Sequence, residues 1–360
     1  MDFRVLNLGK PADVAEWKRF WDMLPVERQD IFFLPGYFQA YNDENRGESL
    51  CAVAIENGSV WLYPFLKCKI VLYTQGAGKE IYYDIRTPYG YGGPVVNFSG
   101  EDAAFIKKVQ DIFSQWCYEQ YIVTEFCRFH PFIQNHKWSD ANMQVIKNRI
   151  TVAFDLKHYP TAVWDSSYYL NHRGMIRKAI REGFTFHIEN FQERLSWFVE
   201  KYNETQKLLH AEEETFFSEA YFQAFISKLE NRVWLGVVRK NGQPVTAVVV
   251  LEGNYDAYLH LMAYFNEGPA KGMVNYLYHE VAVETAKKGL HRLQVGGGKT
   301  SSEDDSLFLF KSRLSSLRNE FYIGKRIHND EVYKELISIY KSIHGEAAYA
   351  QRKNLLQFYS

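Results

Sequence analysis

The chain contains an internal repeat, and this repeat constrains the possible fold more than any other feature of the sequence. At an offset of 184 residues, segment 31–41 (IFFLPGYFQAY) aligns with segment 215–225 (TFFSEAYFQAF). The same offset places Asn57-Gly58 on Asn241-Gly242, and each dipeptide joins two strand-like runs, as in a tight hairpin whose turn needs positive φ. Two matches in one register predict a tandem duplication of one α/β unit.

The two halves also share a predicted order of elements: helix, helix, antiparallel strands, helix, strand. An amphipathic helix at 102–119 precedes a strand at 121–129 in the first half. A helix at 273–288 precedes a strand at 291–295 in the second half. The predicted fold class is therefore α/β (α+β), with two copies of one domain and mixed, largely antiparallel sheets.

Length and composition agree with two folded domains. The 360 residues are sufficient for two cores, and 46% hydrophobic and 24% charged residues are typical of globular proteins. We expect a first domain at 1–154, a second domain at 155–345 and a C-terminal tail at 346–360.

Charge and hydropathy exclude several classes of protein. A net charge of −1 gives no general attraction to nucleic acid, so DNA is not expected as a partner. No run approaches the ~18 apolar residues of a membrane span, and the first residues do not resemble a signal peptide. We therefore expect a cytoplasmic protein without a transmembrane segment. The cysteines show neither CxxC spacing nor a nearby His cluster, which predicts reduced buried thiols and no metal site.

The segment 82–93 (YYDIRTPYGYGG) is the longest stretch without strand or helix periodicity. Gly allows a ligand to approach the backbone, and Tyr provides both a flat ring and a hydroxyl. Arg86, Tyr89 and Tyr91 are therefore candidate substrate-binding residues, and an ordered surface loop is the alternative. His130 ends a predicted strand, where ligand sites of α/β sheets commonly lie. A structural role for His130 is equally compatible with that position.

The run 171–183 (NHRGMIRKAIREG) predicts a helix with basic residues on adjacent turns. Such a cluster can bind phosphate, and Arg does so through two parallel hydrogen bonds. A solvated charged face is the alternative. The candidate substrate-binding residues here are Arg173, Arg177 and Lys178. The residues expected to face inward are Met175, Ile176, Ala179 and Ile180.

The segment 267–272 (EGPAKG) opens a predicted helix. Acetyl-coenzyme A acetyltransferases hold the pyrophosphate at this place with a glycine-rich loop and the helix N-terminus. Gly268 and Ala270 fit that loop, whereas Phe265 replaces its Arg or Gln and Pro269 removes one N–H donor. A plain helix-entry loop is the alternative.

The segment 296–311 (GGGKTSSEDDSLFLFK) follows a predicted strand and leads into a helix. Its glycines permit close backbone approach, and one of three side chains can cap the helix: Ser302, Asp304 or Asp305. The segment lacks the spacing of a Walker loop, which argues against nucleotide hydrolysis.

In their order along the chain, these segments resemble the FemABX family of peptidoglycan aminoacyltransferases and its broader GNAT-fold relatives. The resemblance rests on the repeat, on 87–94 (TPYGYGGP), on 173–183 (RxxIRKAxxxG) and on 306–311 (SLFxFK). It implies two GNAT-like domains with a cleft between them. It also implies that the acceptor binds mainly to the first domain and an aminoacyl-tRNA donor near the second.

The resemblance further implies that Phe310 and Lys311 lie at the reaction centre and that Arg173 or Arg177 grips phosphates of the acceptor. Lys311 would stabilise the oxyanion of a tetrahedral intermediate. The alternative for Lys311 is a solvated lysine at the end of a surface helix. No general base stands out.

The predicted function is transfer of an aminoacyl group to an amine of a peptidoglycan or other cell-envelope precursor. One alternative is an acyl-coenzyme A-dependent N-acyltransferase that acts on an amino sugar in surface polysaccharide synthesis. A second alternative, not an enzyme, is a small-molecule binding protein that uses the same cleft. We expect no tightly bound cofactor. The donor co-substrate would be aminoacyl-tRNA, with tRNA then a partner, or acyl-coenzyme A.

Overall fold

The computed structural model describes residues 1–44, 46–72, 81–99, 102–157, 170–211, 213–265 and 272–359. The chain divides into two compact units. Unit 1 contains Met1–Pro25, Phe33–Asn148 and Phe321–Ser360, and unit 2 contains Val26–Phe32 and Arg149–Glu320.

The elements are numbered in chain order. The strands are β1 (Asp2–Asn7), β2 (Glu48–Glu56), β3 (Ser59–Lys69), β4 (Tyr83–Arg86), β5 (Val95–Val96), β6 (Ile122–Arg128), β7 (Gln144–Asp155), β8 (Phe184–Glu189), β9 (Val233–Lys240), β10 (Gln243–Glu252), β11 (Asp256–Tyr264), β12 (Arg292–Gly296) and β13 (Leu317–Ile327). The helices are α1 (Pro11–Asp22), α2 (Pro35–Asp43), α3 (Ala103–Glu119), α4 (Leu170–Arg181), α5 (Phe191–Leu208), α6 (Glu219–Lys228), α7 (Met273–Lys287), α8 (Ser306–Ser312), α9 (Asp330–His344) and α10 (Glu346–Arg352).

The strands of unit 1 follow the order β1-β2-β3-β4-β6-β13, with β5 beside β3. The pair β4–β6 is parallel, and the other pairs along this order are antiparallel. The strands of unit 2 follow the order β8-β9-β10-β11-β12-β7. Here β11–β12 is the parallel pair, and the others are antiparallel. Both units therefore have the mixed, largely antiparallel sheet that the sequence predicts.

The two units have the same order of helices and strands. In each, two helices precede three antiparallel strands, and a further helix leads to the parallel strand. The hairpin turns repeat as well: φ is 52° at Asn57 and 86° at Gly58, and 51° at Asn241 and 77° at Gly242. These positive values match a two-residue turn of the kind that favours Asn-Gly. The predicted tandem duplication is confirmed.

The last strand of each sheet comes from the other half of the sequence. β7 pairs with β12 through residues 152–155, although it follows β6 in the chain. β13 pairs with β6 through residues 323–327, although it follows β12. Besides the short segment Val26–Phe32, which belongs to unit 2, the chain therefore passes between the units at residues 148–149 and 320–321. The expected boundaries at 1–154 and 155–345 did not include this exchange.

The C-terminal residues are packed and do not form a tail, which corrects the expectation for 346–360. Phe358 is 1% exposed and joins a core cluster with Val332, Leu336 and Tyr340 of α9. The same cluster includes residues that precede β4 and residues of β6. An aromatic side chain buried to this extent stabilises the unit by its apolar area.

The segment 82–93 is less irregular than predicted, because Tyr83–Arg86 forms the parallel strand β4. The strand covers four residues, too few for the sequence to show an alternating pattern. Asp84 on β4 is 4% exposed and accepts hydrogen bonds from Thr124 Oγ1 at 2.6 Å and from Tyr359 Oη at 3.0 Å. Burial raises the pKa of Asp84 to about 6, although these hydrogen bonds oppose the shift.

The raised pKa of Asp84 predicts how the free energy of unfolding changes with pH. Because the folded-state pKa of Asp84 lies above its ordinary value of 3.8, the folded protein takes up a proton before the unfolded chain does as pH falls. The free energy of unfolding of the wild type, relative to Asp84→Asn, should therefore increase by roughly 2 to 3 kcal/mol between pH 7 and pH 4. Denaturant titrations of both proteins at several pH values measure this difference. Parallel pH curves for the two proteins would contradict it.

Among the described residues, no helix combines the length and the apolar character that a membrane span requires. All four cysteines are free thiols. Three of them are buried as expected, whereas Cys68 is only partly buried.

Candidate active site

The parallel strands of unit 2 are paired over a short stretch. Their partners are Asp256–Arg292, Ala257–Leu293 and Tyr258–Gln294. Beyond this stretch β11 continues to Tyr264 beside β10, and β12 continues to Gly296 beside β7. Ligands of α/β proteins commonly bind beyond the carboxyl ends of adjacent parallel strands. The segment that follows β12 therefore lies where a site is expected.

Lys311 lies on α8 and is buried beside the end of β12. Its side chain is 9% exposed, and Nζ donates to the main-chain oxygen of Gly297 at 3.0 Å. A Cβ atom on Gly296 would lie 3.3 Å from Nζ, so glycine leaves the space that the ammonium occupies. This burial excludes the alternative of a solvated lysine on a surface helix.

The charge of Lys311 is sensitive to pH near neutrality. Burial lowers the pKa of Lys311 to about 8, and the positive charge of Arg149 acts in the same direction. Asp305 opposes the shift. The group is therefore an ammonium at pH 7 and loses its proton as pH rises through about 8.

Asp305 is the residue that caps α8. Its Oδ1 accepts from the backbone N–H groups of Leu307 and Phe308, both at 3.0 Å. Its Oδ2 accepts from the backbone N–H of Thr300 at 3.1 Å. The N–H of Phe308 contributes most to lowering the pKa of Asp305 to about 2. Asp305 therefore stays ionised and fixes the start of the helix that positions Lys311.

The loop between β12 and α8 depends on a glycine. A Cβ atom on Gly298 would lie 2.5 Å from Asp305 Oδ1, and Asp305 cannot move away without releasing the helix cap. Arg149 Nη1 holds the same loop by donating to Gly298 O at 2.7 Å. Glycine at position 298 thus leaves the space that Asp305 needs to cap α8.

We expect Gly298→Ala to lower the free energy of unfolding by roughly 1 kcal/mol, the usual cost of losing a helix cap. Gly174→Ala is the matched control, because nothing lies within 4 Å of a Cβ atom at Gly174 in α4. Alanine in a helix interior should stabilise by about 0.5 to 1 kcal/mol. Denaturant unfolding of both variants tests the pair. Equal stability of Gly298→Ala and the wild type would contradict this role of the loop.

Phe310 contacts a buried polar cluster that sequence reasoning did not find. Its ring centroid lies 5.7 Å from that of His172 and 6.3 Å from that of Tyr278. His172 and Asn275 are each 6% exposed and hydrogen-bond to each other through His172 Nδ1 and Asn275 Nδ2. Burial lowers the pKa of His172, and the charge of Arg313 adds to the shift. These residues come from α4, α7 and α8, so no local motif signals the cluster.

In the basic helix α4, the burial of the side chains agrees only partly with the prediction. Arg177 is exposed, Arg173 is partly buried, and Lys178 Nζ lies 3.5 Å from Glu182 Oε1. Ile176 and Ala179 are buried as expected. The prediction that Ile180 faces inward is wrong.

Ile180 is 54% exposed. The buried stripe of α4 follows His172, Ile176 and Ala179, which are spaced four and three residues apart. Ile180 lies at the edge of that stripe. Direct binding of substrate by the basic residues of α4 stays a prediction.

The Gly/Tyr loop of unit 1 is held by its neighbours. Tyr37 and Tyr41 both donate through Oη to the main-chain oxygen of Tyr89, the second at 3.1 Å. Asn135 Nδ2 donates to the main-chain oxygens of Gly92 at 2.8 Å and of Pro94 at 2.9 Å. The loop is therefore ordered. An ordered loop is compatible with substrate binding and also with a purely structural surface loop. The Tyr89 ring is 41% exposed and is accessible to a ligand.

The other candidate residues of unit 1 differ in accessibility. Arg86 ends β4 and is partly buried, and its charge acts on Asp84. Tyr91 packs edge-on against His130, with ring centroids 5.6 Å apart. His130 is 0% exposed, and its Nδ1 accepts from the backbone N–H groups of Phe132 and Ile133, both at 3.2 Å. This geometry favours the structural alternative for His130.

The predicted pyrophosphate loop at 267–272 lies outside the described residues, apart from Gly272. Gly272 is the N-cap of α7 and has φ 91°. A Cβ atom at this position would lie 2.8 Å from the main-chain oxygen of Met175. Glycine is therefore required where α7 begins beside α4.

Residues 166–304 match the family model described as an acetyltransferase (GNAT) domain. The predicted enzyme class, acyltransferase, is confirmed. GNAT acyltransferases use acyl-coenzyme A as co-substrate. The matched range includes His172 and Asn275, and Lys311 follows it. A comparison with curated proteins gave no match.

Solved structures show the same fold over nearly the whole chain. A crystal structure of FemX is 13% identical, with a TM-score of 0.67 over 93% of this chain and 99% of that chain. The C-terminal domain assigned to a lysylphosphatidylglycerol synthetase of Agrobacterium fabrum is 14% identical, with a TM-score of 0.54 over 92% and 98%. A tandem GNAT protein from the clavulanic acid biosynthesis pathway is 8% identical, with a TM-score of 0.50 over 91% and 98%. The predicted tandem GNAT fold is confirmed.

Proposed function

We propose that the protein transfers an aminoacyl group to an amine of a peptidoglycan or other cell-envelope precursor. The observation that carries the proposal is the buried ammonium of Lys311 at the carboxyl end of β12. Its hydrogen-bond partner is a main-chain oxygen, and within the described part of the chain no carboxylate forms an ion pair with it. A positive charge held in this way favours a reaction in which negative charge develops nearby.

Amide formation is such a reaction. The neutral amine attacks the carbonyl carbon of the donor, a C–N bond forms, and the carbonyl oxygen takes up the negative charge. The intermediate then collapses, the bond to the leaving group of the donor breaks, and the proton that the amine loses is taken up by that leaving group. Lys311 would stabilise the oxyanion, and its burial strengthens the electrostatic interaction because water is excluded. Phe310 would limit access of water to the same place.

Each unit would bind mainly one of the two substrates. Unit 1 would bind the acceptor through the exposed ring of Tyr89 and through Tyr91 and Arg86, with His130 supporting that loop. Unit 2 would bind the donor. Arg173, Arg177 and Lys178 on α4 would bind phosphate groups of the acceptor. Aminoacyl-tRNA and acyl-coenzyme A are both made in the cytoplasm, so the proposed reaction takes place there.

The sequence resemblance to the FemABX aminoacyltransferases supports the aminoacyl donor and tRNA as a partner, and the fold shared with FemX over 93% of the chain agrees with that resemblance. A second candidate is acyl-coenzyme A-dependent N-acylation of an amino sugar. The match of residues 166–304 to an acetyltransferase domain favours that candidate.

Parallel assays distinguish the two donors. The purified protein is incubated with aminoacyl-tRNA or with acetyl-coenzyme A, together with amine-bearing envelope precursors or amino sugars, and products are identified by mass spectrometry. We expect an amide product with aminoacyl-tRNA. A product with acetyl-coenzyme A alone would select the second candidate, and no product with either donor would contradict both.

A further inference from the structure

The imidazole of His172 has one nitrogen fixed by the protein and one that is unused. Nδ1 is hydrogen-bonded with the side-chain amide of Asn275 in the first turn of α7. One edge of the cluster is formed by Phe310, the neighbour of Lys311. Within the part of the chain that the structure describes, Nε2 of His172 makes no hydrogen bond. His172 as a whole is 6% exposed, yet Nε2 is not among the buried side-chain atoms that lack a hydrogen-bond partner, so this nitrogen can be reached from outside. An accessible ring nitrogen that none of the described residues occupies can bind a ligand.

The partner of Nδ1 decides which nitrogen carries the proton. The amide nitrogen of Asn275 can only donate, so Nδ1 of His172 must accept. A neutral imidazole then carries its single proton on Nε2. The unused nitrogen is therefore a hydrogen-bond donor.

Protonation of the second nitrogen is disfavoured by the surroundings. His172 is nearly buried, and Arg313 is the charged group that acts on it. Both effects oppose an imidazolium ion. This argues against His172 as a general base, because a base would become that cation during the reaction.

We propose that His172 is a neutral hydrogen-bond donor whose Nε2–H binds an oxygen atom of the acyl donor. This inference rests on the proposed function, because it assigns a donor-binding residue to the site that contains Lys311. Asn275 is a positioning residue, since it acts only through the tautomer of His172. The pairing holds a donor of fixed direction beside Phe310 without adding a further positive charge there.

The tautomer is tested first and without any substrate. In protein labelled with ¹⁵N at histidine, long-range ¹H–¹⁵N spectra show which ring nitrogen carries the proton. We expect Nε2–H for His172 at pH 7 and above, because the pKa of His172 is lowered from its ordinary value. Asn275→Asp should move the proton to Nδ1, because a carboxylate accepts from it. A wild-type His172 protonated on Nδ1, or on both nitrogens at pH 7, would overturn the proposal.

The binding role is tested in the same sample. Acetyl-coenzyme A and aminoacyl-tRNA are added separately, and we expect one of them to shift the Nε2–H signal of His172. The exposed His187 on β8 is the reference signal. If neither probe shifts the His172 signal, the proposal fails, whatever the transfer assay shows. If a probe shifts the signal but no product forms, the proposed function fails instead.

Kinetics separate binding from a merely structural role. With the donor that the wild type uses, His172→Phe should lower kcat/KM about 10-fold or more, the effect of one lost hydrogen bond. His172→Gln should restore part of that loss, because its side-chain amide can donate from a similar position. His187→Gln is the matched control and should change nothing. Equal kcat/KM for His172→Phe and the wild type would remove His172 from the site.

Discussion

Lys311→Met is expected to lower kcat about 100-fold or more, since the proposed mechanism would lose the donor that stabilises the oxyanion. Methionine fills a similar volume, so the expected loss comes from the missing charge and not from a cavity. Steady-state kinetics with saturating donor and acceptor measure the effect. Full activity of Lys311→Met or Lys311→Ala would remove the residue from the mechanism.

The same substitution should leave the fold intact. Lys311 is 9% exposed, and burial holds its pKa at about 8, below its ordinary value of 10.5. At pH 7 the buried ammonium therefore lowers the free energy of unfolding. Removing the charge should leave the melting temperature unchanged or raise it. A large decrease would show that the lost activity reflects unfolding.

The pH profile gives an independent check on Lys311. Lys311 is mostly an ammonium at pH 7, and the charge is lost as pH rises through its pKa of about 8. We therefore expect the activity of the wild type to fall above about pH 8. Lys311→Arg keeps its charge in this range, so its residual activity should fall only at higher pH. An identical alkaline fall in both proteins would assign it to another group.

Phe38→Ala and Phe222→Ala are each expected to lower the free energy of unfolding by roughly 3 to 5 kcal/mol, the usual cost of removing a buried Phe ring. The two residues hold equivalent places in the repeat, and both are 0% exposed. Phe38 packs against Trp17 at 5.2 Å, and Phe222 packs against Phe198 at 5.3 Å, between ring centroids.

The next residues of the repeat provide matched controls. Gln39 and Gln223 are both only partly buried. Alanine at either position should change stability by less than about 0.5 kcal/mol. Denaturant unfolding of the four variants tests whether the duplicated sequence performs the same task in each unit. If one of the two Phe residues could be replaced at little cost, the units would not be equivalent in their cores.

The sequence predicted the duplication because its signals are local. Aromatic residues at helical spacing and an Asn-Gly turn can be recognised in a short window. Both recur in the structure: Phe38 and Phe222 are each 0% exposed, and both turns have positive φ. The exchange of β7 and β13 could not be predicted in this way. Strand pairing joins residues far apart in the chain, and nothing within β7 indicates that its partner is β12.

In the candidate site, too, the sequence shows the local features but not the contacts between residues far apart in the chain. Lys311 follows a glycine-rich segment that is visible in the sequence, and the structure places it in a buried setting. His172 and Asn275 are 103 residues apart and meet because α4 packs beside α7. For this reason no motif in the sequence marks His172 as a site residue. Ile180 is wrongly predicted because helical periodicity does not show how wide the buried stripe of a helix is.

We propose that unit 2 joins an acyl group to an amine with the help of Lys311. The most direct measurement compares two acceptors that differ only in their amine, one free and one N-acetylated, with the wild type and Lys311→Met. Mass spectrometry should detect the acylated product only from the free amine, and at least about 100-fold more slowly with Lys311→Met. Equal modification of both acceptors, or equal rates for both proteins, would contradict the claim.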